Sequence, residues 1–207
     1  MRYLLPLAAV CVTLAGCATS TNSYVPPMET KFENSRRISQ PFDSTWDKLV
    51  RGLSGDFFVI NNIDKSSRII NISFSSNRPS EFANCGRTTR TFTNARGEHK
   101  VSYFAADSAQ YTDVLGDSNA YDVRRNTKLD GRTNIYVAPI DAGTEVVVNT
   151  RYVISIDQEF RRLYPSGMAS RRFTWDFSTK SPYRDPGGQV VCFASGELET
   201  RILRLLD

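Results

Sequence analysis

The sequence predicts an α+β fold of two layers, a mostly antiparallel sheet packed on two helices. Three observations carry that reading. Apolar residues recur at helical spacing near the start, at Phe42, Trp46, Leu49, Val50 and Leu53, and again at the end, at Leu198, Ile202, Leu205 and Leu206. Between them, short runs alternate apolar and polar residues, as at Ile70, Ile72 and Phe74. An amphipathic helix and a one-sided sheet must bury their apolar faces against each other, which gives the two layers.

Taken in order, residues 31–39 read as a first strand. Pro41 and Asp43 then offer a helix start, Ser44 with Asp47 resembles a capping box, and Gly55 ends the helix. Residues 57–63 and the alternating Ile70, Ile72 and Phe74 form a hairpin around Asp64, Lys65 and Ser66. Residues 88–93 and 101–105 make a second pair around Asn94, Ala95, Arg96 and Gly97. Residues 106–125 lack clean periodicity and scatter Asp107, Asp113, Asp117 and Asp122 among small polar residues, so they read as a long surface excursion. Residues 132–138 and 144–156, joined by Asp141, Ala142 and Gly143, make the clearest hairpin, and residues 160–168 read as a connection. Phe173, Trp175 and Phe177 share one face of an aromatic strand, residues 189–193 form a short one, and Ser195 caps the last helix.

The chain of 207 residues, with 40% hydrophobic and 23% charged composition, is one domain's worth and needs no metal to hold its core. Residues 1–16 have the layout of a secretory leader, with Arg2 before an apolar run and small residues at its end. The run is too short to span about 30 Å of hydrocarbon, and Pro6 weakens it as a membrane helix. Leu14, Ala15, Gly16 and Cys17 resemble the lipobox of bacterial lipoproteins, the alternative being an ordinary cleaved leader with an incidental cysteine. The resemblance implies lipidation at Cys17 and a mature chain beginning there. Ala18, where an aspartate would favour inner-membrane retention, implies the periplasmic face of the outer membrane. The organisation expected is a signal peptide over residues 1–16, the lipidated Cys17 with a flexible tether over residues 17–30, and a single globular domain over residues 31–207.

Cys11 leaves with the leader and Cys17 takes the lipid, so Cys85 and Cys192 remain in an oxidising compartment and are expected to pair, the alternative being two buried free thiols. A formal net charge of +4, spread over dispersed pairs such as Arg124 and Arg125, does not make a nucleic-acid face. The helix opened by Phe42, Asp43, Ser44, Thr45 and Trp46, followed by the hairpin from Phe57 to Ile72, resembles BamC-like outer-membrane lipoproteins and their helix-grip domains. That resemblance implies a helix-grip-like architecture and a non-catalytic accessory or scaffold lipoprotein that binds a protein partner in an envelope complex.

Among catalytic arrangements, His99 is the only histidine and sits at a hairpin tip, so no catalytic residue, metal ligand or cofactor is assigned. Glu197 and Glu199 open the last helix, where the dipole accounts for them. The alternative function is carriage of a lipid or other apolar ligand in a pocket lined by Tyr152, Phe173, Trp175 and Phe177; an envelope hydrolase using His99 is third. An apolar cavity would favour carriage, and a packed centre the scaffold.

Overall fold

The computed structural model describes residues 18–163 and 165–207. It begins with β1 (Thr19–Val25) and β2 (Ser35–Ile38), followed by α1 (Phe42–Ser54) and the hairpin of β3 (Val59–Asp64) and β4 (Ile69–Ser76). A 3-10 turn and β5 (Ala83–Asn84) lead to β6 (Arg87–Asn94), β7 (Gly97–Phe104) and β8 (Ala109–Val114). Then come two long strands, β9 (Ala120–Ile140) and β10 (Gly143–Arg162), and β11 (Gly167–Ser178). The chain closes with β12 (Tyr183–Arg184), β13 (Val191–Ala194) and α2 (Glu197–Arg204).

With 57% of the described residues in strands and 13% helical, this is a sheet-dominated fold of several antiparallel sheets. The expected α+β, two-layer, helix-grip-like arrangement is overturned. The reason lies in β9 and β10, of 21 and 20 residues, which pair along almost their whole length, about 70 Å of chain at the rise of a strand. Two short helices cannot cover a ribbon that long. The seven-stranded sheet runs β11-β10-β9-β4-β3, with β2 added to β10 at one end and β8 added to β9 at the other.

Alternation decides which face is buried. Val123, Leu129, Ile135 and Val137 of β9 and Val146, Val148, Tyr152, Ile154 and Ile156 of β10 all point inward, while Arg124, Lys128, Arg132 and Arg151 point outward. At the β2 end that inner face is covered by α1, through Trp46, Leu49 and Leu53, and by α2, through Leu198, Ile202 and Leu203. Gly52 lets Leu205 come within 3.1 Å of where a Cβ would stand, so the two helices meet there. At the β8 end the cover is a separate three-stranded sheet, β1-β6-β7, lying over β8.

Two stretches read as irregular are therefore strand. The expected tether over residues 17–30 instead contains β1, paired residue for residue with β6 from Thr19 opposite Thr93 to Val25 opposite Arg87. The excursion over residues 106–125 is β8, a turn over residues 115–119 and the start of β9. Ser20 Oγ donates to the Asp113 carboxylate, and the Val114 amide donates back to Ser20 Oγ at 2.9 Å, which ties the two stretches together. The connection expected over residues 160–168 shrinks because β10 runs on through Arg162. The caps differ too. Pro41 precedes α1 without a side-chain cap, and Gly196, in the left-handed region at φ 81°, holds the N-cap of α2 in place of Ser195.

Cys85 and Cys192 are bonded, as expected, and both are buried. The bond joins the root of β6 to β13, just ahead of α2, so it links the small sheet to the helical cover. Tyr24 of β1 reinforces the junction, donating to the Cys85 carbonyl at 3.0 Å and accepting from the Val191 amide at 3.1 Å. Across the centre runs one row of aligned positions, Phe74, Gly131, Tyr152 and Phe177, on four adjacent strands. The Phe74 and Tyr152 rings meet edge-on at 6.4 Å over Gly131, and Tyr152 stacks on Phe177 at 5.2 Å. A Cβ at residue 131 would lie 2.0 Å from the Phe74 ring.

Two outcomes follow for stability. Gly131→Ala should lower the free energy of urea unfolding by about 1–3 kcal/mol through overpacking. Adding Phe74→Leu should recover part of that loss, whereas additive losses would show that the ring is not what residue 131 accommodates. Replacing Cys85 and Cys192 together by alanine opens a loop spanning 107 residues and should cost about 2–5 kcal/mol by the same measurement.

Candidate functional site

The helical end of the sheet is packed with aliphatic side chains, but the end beneath β1-β6-β7 is not. There the inward phase of β9 places Arg125 and Thr127 between Val123 and Leu129, and β11 contributes Phe173 and Trp175. Two sheets lined in this way do not close on each other. They leave a cleft of about 350 Å³, bounded by Tyr24, Arg90 and Tyr103 above, by Arg125, Arg171, Phe173 and Trp175 below, and by Tyr183 and Asp185 at one side.

Arg125 is its most unusual wall. Only 4% exposed, it donates to the Ala105 carbonyl at 2.7 Å and to the Asp107 carbonyl, and makes no ion pair among the described residues. Its guanidinium lies 5.3 Å from the Trp175 ring centroid and 6.0 Å from that of Tyr103. Burial pushes its pKa below the ordinary arginine value, against the opposing pull of Tyr103, Tyr111 and the more distant Asp107 carboxylate. Arg90 is paired with Asp113 at 3.1 Å and lies over the Tyr111 ring. Burial there, with Tyr103 alongside, raises the Tyr111 hydroxyl to about 12. Arg171 is exposed at the mouth, over Phe173.

The four aromatic residues expected to line one apolar pocket are divided. Phe173 and Trp175 face the cleft, whose lining sets Arg90, Arg125 and Arg171 among aromatic and polar side chains. Tyr152 and Phe177 belong to the solid core, at 0% and 3% exposure. Tyr152 is also not purely apolar in role, since its hydroxyl donates to the Glu199 carboxylate at 2.9 Å, and Thr179 Oγ1 donates to the same group at 2.7 Å. Glu199, expected at a helix start and accounted for there by the dipole, is fully buried and bonded from the middle of β10 and from the residue after β11. Burial, with Glu199 alongside, drives the Tyr152 hydroxyl far above its ordinary value. Cys17 lies outside the described residues. His99 stands exposed on β7, opposite Phe92.

Arg90, Arg125, Tyr24 and Tyr103 were not singled out from sequence. One signal was present for Arg125: it lies in phase with Val123 and Leu129, and a charge on the apolar phase of a strand is the pattern of a lined site.

A second surface lies along the same sheet. β3 is a free edge, with β4 as its one neighbour among the described strands. Its side chains Val59 and Ile63 are 59% and 40% exposed, and Phe57 just before it is 41% exposed. The β3–β4 turn is fixed by Asp64, whose carboxylate accepts from the hydroxyls of Ser66 and Ser67, both at 2.6 Å. Those hydrogen bonds hold its pKa at about 2. Among the described residues, no helix is long and apolar enough to cross a membrane. Compared with models of protein families, with curated proteins and with solved structures, the chain matches none.

Tyr152→Phe should cost about 1–3 kcal/mol in urea unfolding, because Glu199 keeps its burial and loses one of its two side-chain donors. A loss no larger than that of an exposed tyrosine such as Tyr136 would show that Glu199 does not depend on Tyr152.

Proposed function

We propose that this chain is a lipoprotein anchored through Cys17 to the periplasmic face of the outer membrane, where it serves as a non-catalytic accessory module of a cell-envelope complex and binds a protein partner along β3. The observation that carries the partner-binding role is the free β3 edge with its exposed Phe57, Val59 and Ile63. Unpaired backbone groups on an edge strand accept an added strand, and exposed apolar side chains along it supply affinity. Within the segment that resembles BamC-like lipoproteins, the outer edge of β3 is the part left free. The role is retained from that resemblance; the helix-grip fold is not.

Export is supported by the leader over residues 1–16, by the cysteine that follows it, and by the buried Cys85–Cys192 bond, a link that persists in oxidising compartments. The anchor also orients the module. β1 begins at Thr19, so only Ala18 separates it from Cys17. The same end of the molecule carries the β6–β7 tip, the turn over residues 115–119 and the β10–β11 connection, with Leu115, Leu163 and Met168 exposed. β3 pairs with the first residues of β4, Ile69 to Ser73, which in turn pair with Tyr136 to Arg132 of β9, the half farther from that end, so the β3 edge is turned away from the bilayer.

Carriage of an apolar ligand in the sheet's centre is disfavoured by the packing of Tyr152 and Phe177. The test is affinity purification of the full lipoprotein from gently solubilised membranes, with and without Val59→Lys and Ile63→Lys together. A stoichiometric partner recovered with the unaltered protein and lost with the doubly substituted, folded one is expected. Retention of the partner would remove β3 from the reading. A native N-terminal mass other than that of an acylated Cys17 would remove the anchor.

A further inference from the structure

We propose that the inter-sheet cleft is a binding site for a small organic oxyanion, a phosphate or carboxylate group carried on a planar or apolar body. Arg125 and Arg171 take the anion, and Trp175, Phe173 and Tyr103 receive the body. The proposal does not depend on the anchor or on the β3 edge.

The argument begins with an unbalanced charge. A guanidinium removed from water is costly unless a counter-charge accompanies it, and Arg125 has two carbonyl oxygens and two ring faces but no carboxylate in contact. The carboxylates nearby are already engaged. Asp113 accepts from Arg90 at 3.1 Å, and Asp107 accepts from the amide and hydroxyl of Ser80 at 2.8 and 2.6 Å. Asp185 accepts from the Gly187 amide at 2.9 Å. Two of the five Arg125 N–H groups serve the carbonyls, and the remainder are uncommitted to any described residue, on the wall of the cleft. The geometry therefore supplies a fixed cation with spare donors, open to an anion that enters the cleft.

The rest of the cleft describes the remainder of the ligand. Trp175 stacks with Tyr183 at 5.9 Å and lies 6.1 Å from Phe173, so one wall is a continuous aromatic surface. A bare inorganic ion would leave that wall unused in a volume of about 350 Å³, which lies at the lower end for small-molecule sites. Arg171, exposed at the mouth, sits where an entering anion meets it first, and an arginine fork suits both phosphate and carboxylate.

The full-length protein in nonionic detergent is titrated calorimetrically with phenyl phosphate and with benzoate, which separate the two oxyanions. Inorganic phosphate and phenol serve as the anion without a body and the body without an anion. One-site saturation by phenyl phosphate or benzoate is expected, weaker by about tenfold or more for inorganic phosphate and not saturable for phenol. Arg125→Met and Arg171→Gln should each weaken binding by about 10- to 100-fold, the range of one charge-assisted hydrogen bond. Tryptophan emission should change on binding in the unaltered protein and lose that response in Trp175→Leu, since Trp46, on the buried face of α1, does not line the cleft. If Arg125→Met does not fold, Arg171→Gln, at an exposed position, decides the matter alone. Absence of saturation by both organic anions up to about 10 mM, equal binding of phenol, or binding unchanged by Arg171→Gln would overturn the proposal.

Discussion

The structure depends on one constraint: the inner face of the β9–β10 ribbon has to be covered from end to end. The strands are paired from Gly143 opposite Ile140 to Arg162 opposite Tyr121, and alternation puts every second residue of each on the same side. No single element among the described residues is long enough to cover that face. It is covered in sections instead, by α1 and α2 over the aliphatic half and by β1-β6-β7 over the other. The sections must themselves be held together, and the Cys85–Cys192 bond stands where they adjoin, with Tyr24 bridging both sides of it.

What was legible in the sequence follows from that division. Where the inner phase is aliphatic, as at Ile70, Ile72 and Phe74, or Val146, Val148 and Ile154, period two stands out and the hairpin partners are legible, though the pairing of β4 with β9 and of β10 with β11 and β2 is not. Both helices were found for the same reason, each having an unbroken apolar stripe. Where the inner phase carries Arg125 and Thr127, the alternation is polar against polar and no pattern remains, so half of β9 and all of β8 read as loop. β1 was hidden differently. Its residues Thr19 to Tyr24 are almost all hydroxylic or amidic, and it is a strand because β6 offers it a full register of hydrogen bonds. That is a tertiary cause, invisible to local patterning.

The candidate site was hidden by the same fact that creates it. Phe173, Trp175 and Phe177 were rightly placed on one face, but that face crosses the boundary between the two covers. Phe177 falls under the helical side, stacked on Tyr152, while Trp175 and Phe173 fall under the small sheet. A pocket inferred from a single strand's pattern cannot show where its cover changes. Glu199 was missed on similar grounds. Its position in the first helical turn is explained by the dipole alone, yet Tyr152 and Thr179 rise from the sheet to meet it, and burial, rather than the dipole, accounts for its surroundings.

The loss of the tether changes what an anchor would do. A flexible linker lets a domain rotate freely and sample its surroundings at the range its length allows. Here β1 is locked to β6 and, through Ser20, to β8, so a lipid on Cys17 would be joined by one residue to a paired strand of the small sheet. Membrane attachment would then fix the module's orientation as well as its location. The cover over the polar half of the sheet, with the cleft beneath it, would stand nearest the bilayer, and the β3 edge would stand farthest from it. Separation of the two surfaces along the length of one ribbon means that occupancy of the cleft cannot block the edge sterically. Any coupling between them would have to pass along β9 and β10, through the central row of Phe74, Tyr152 and Phe177, or through the Cys85–Cys192 junction.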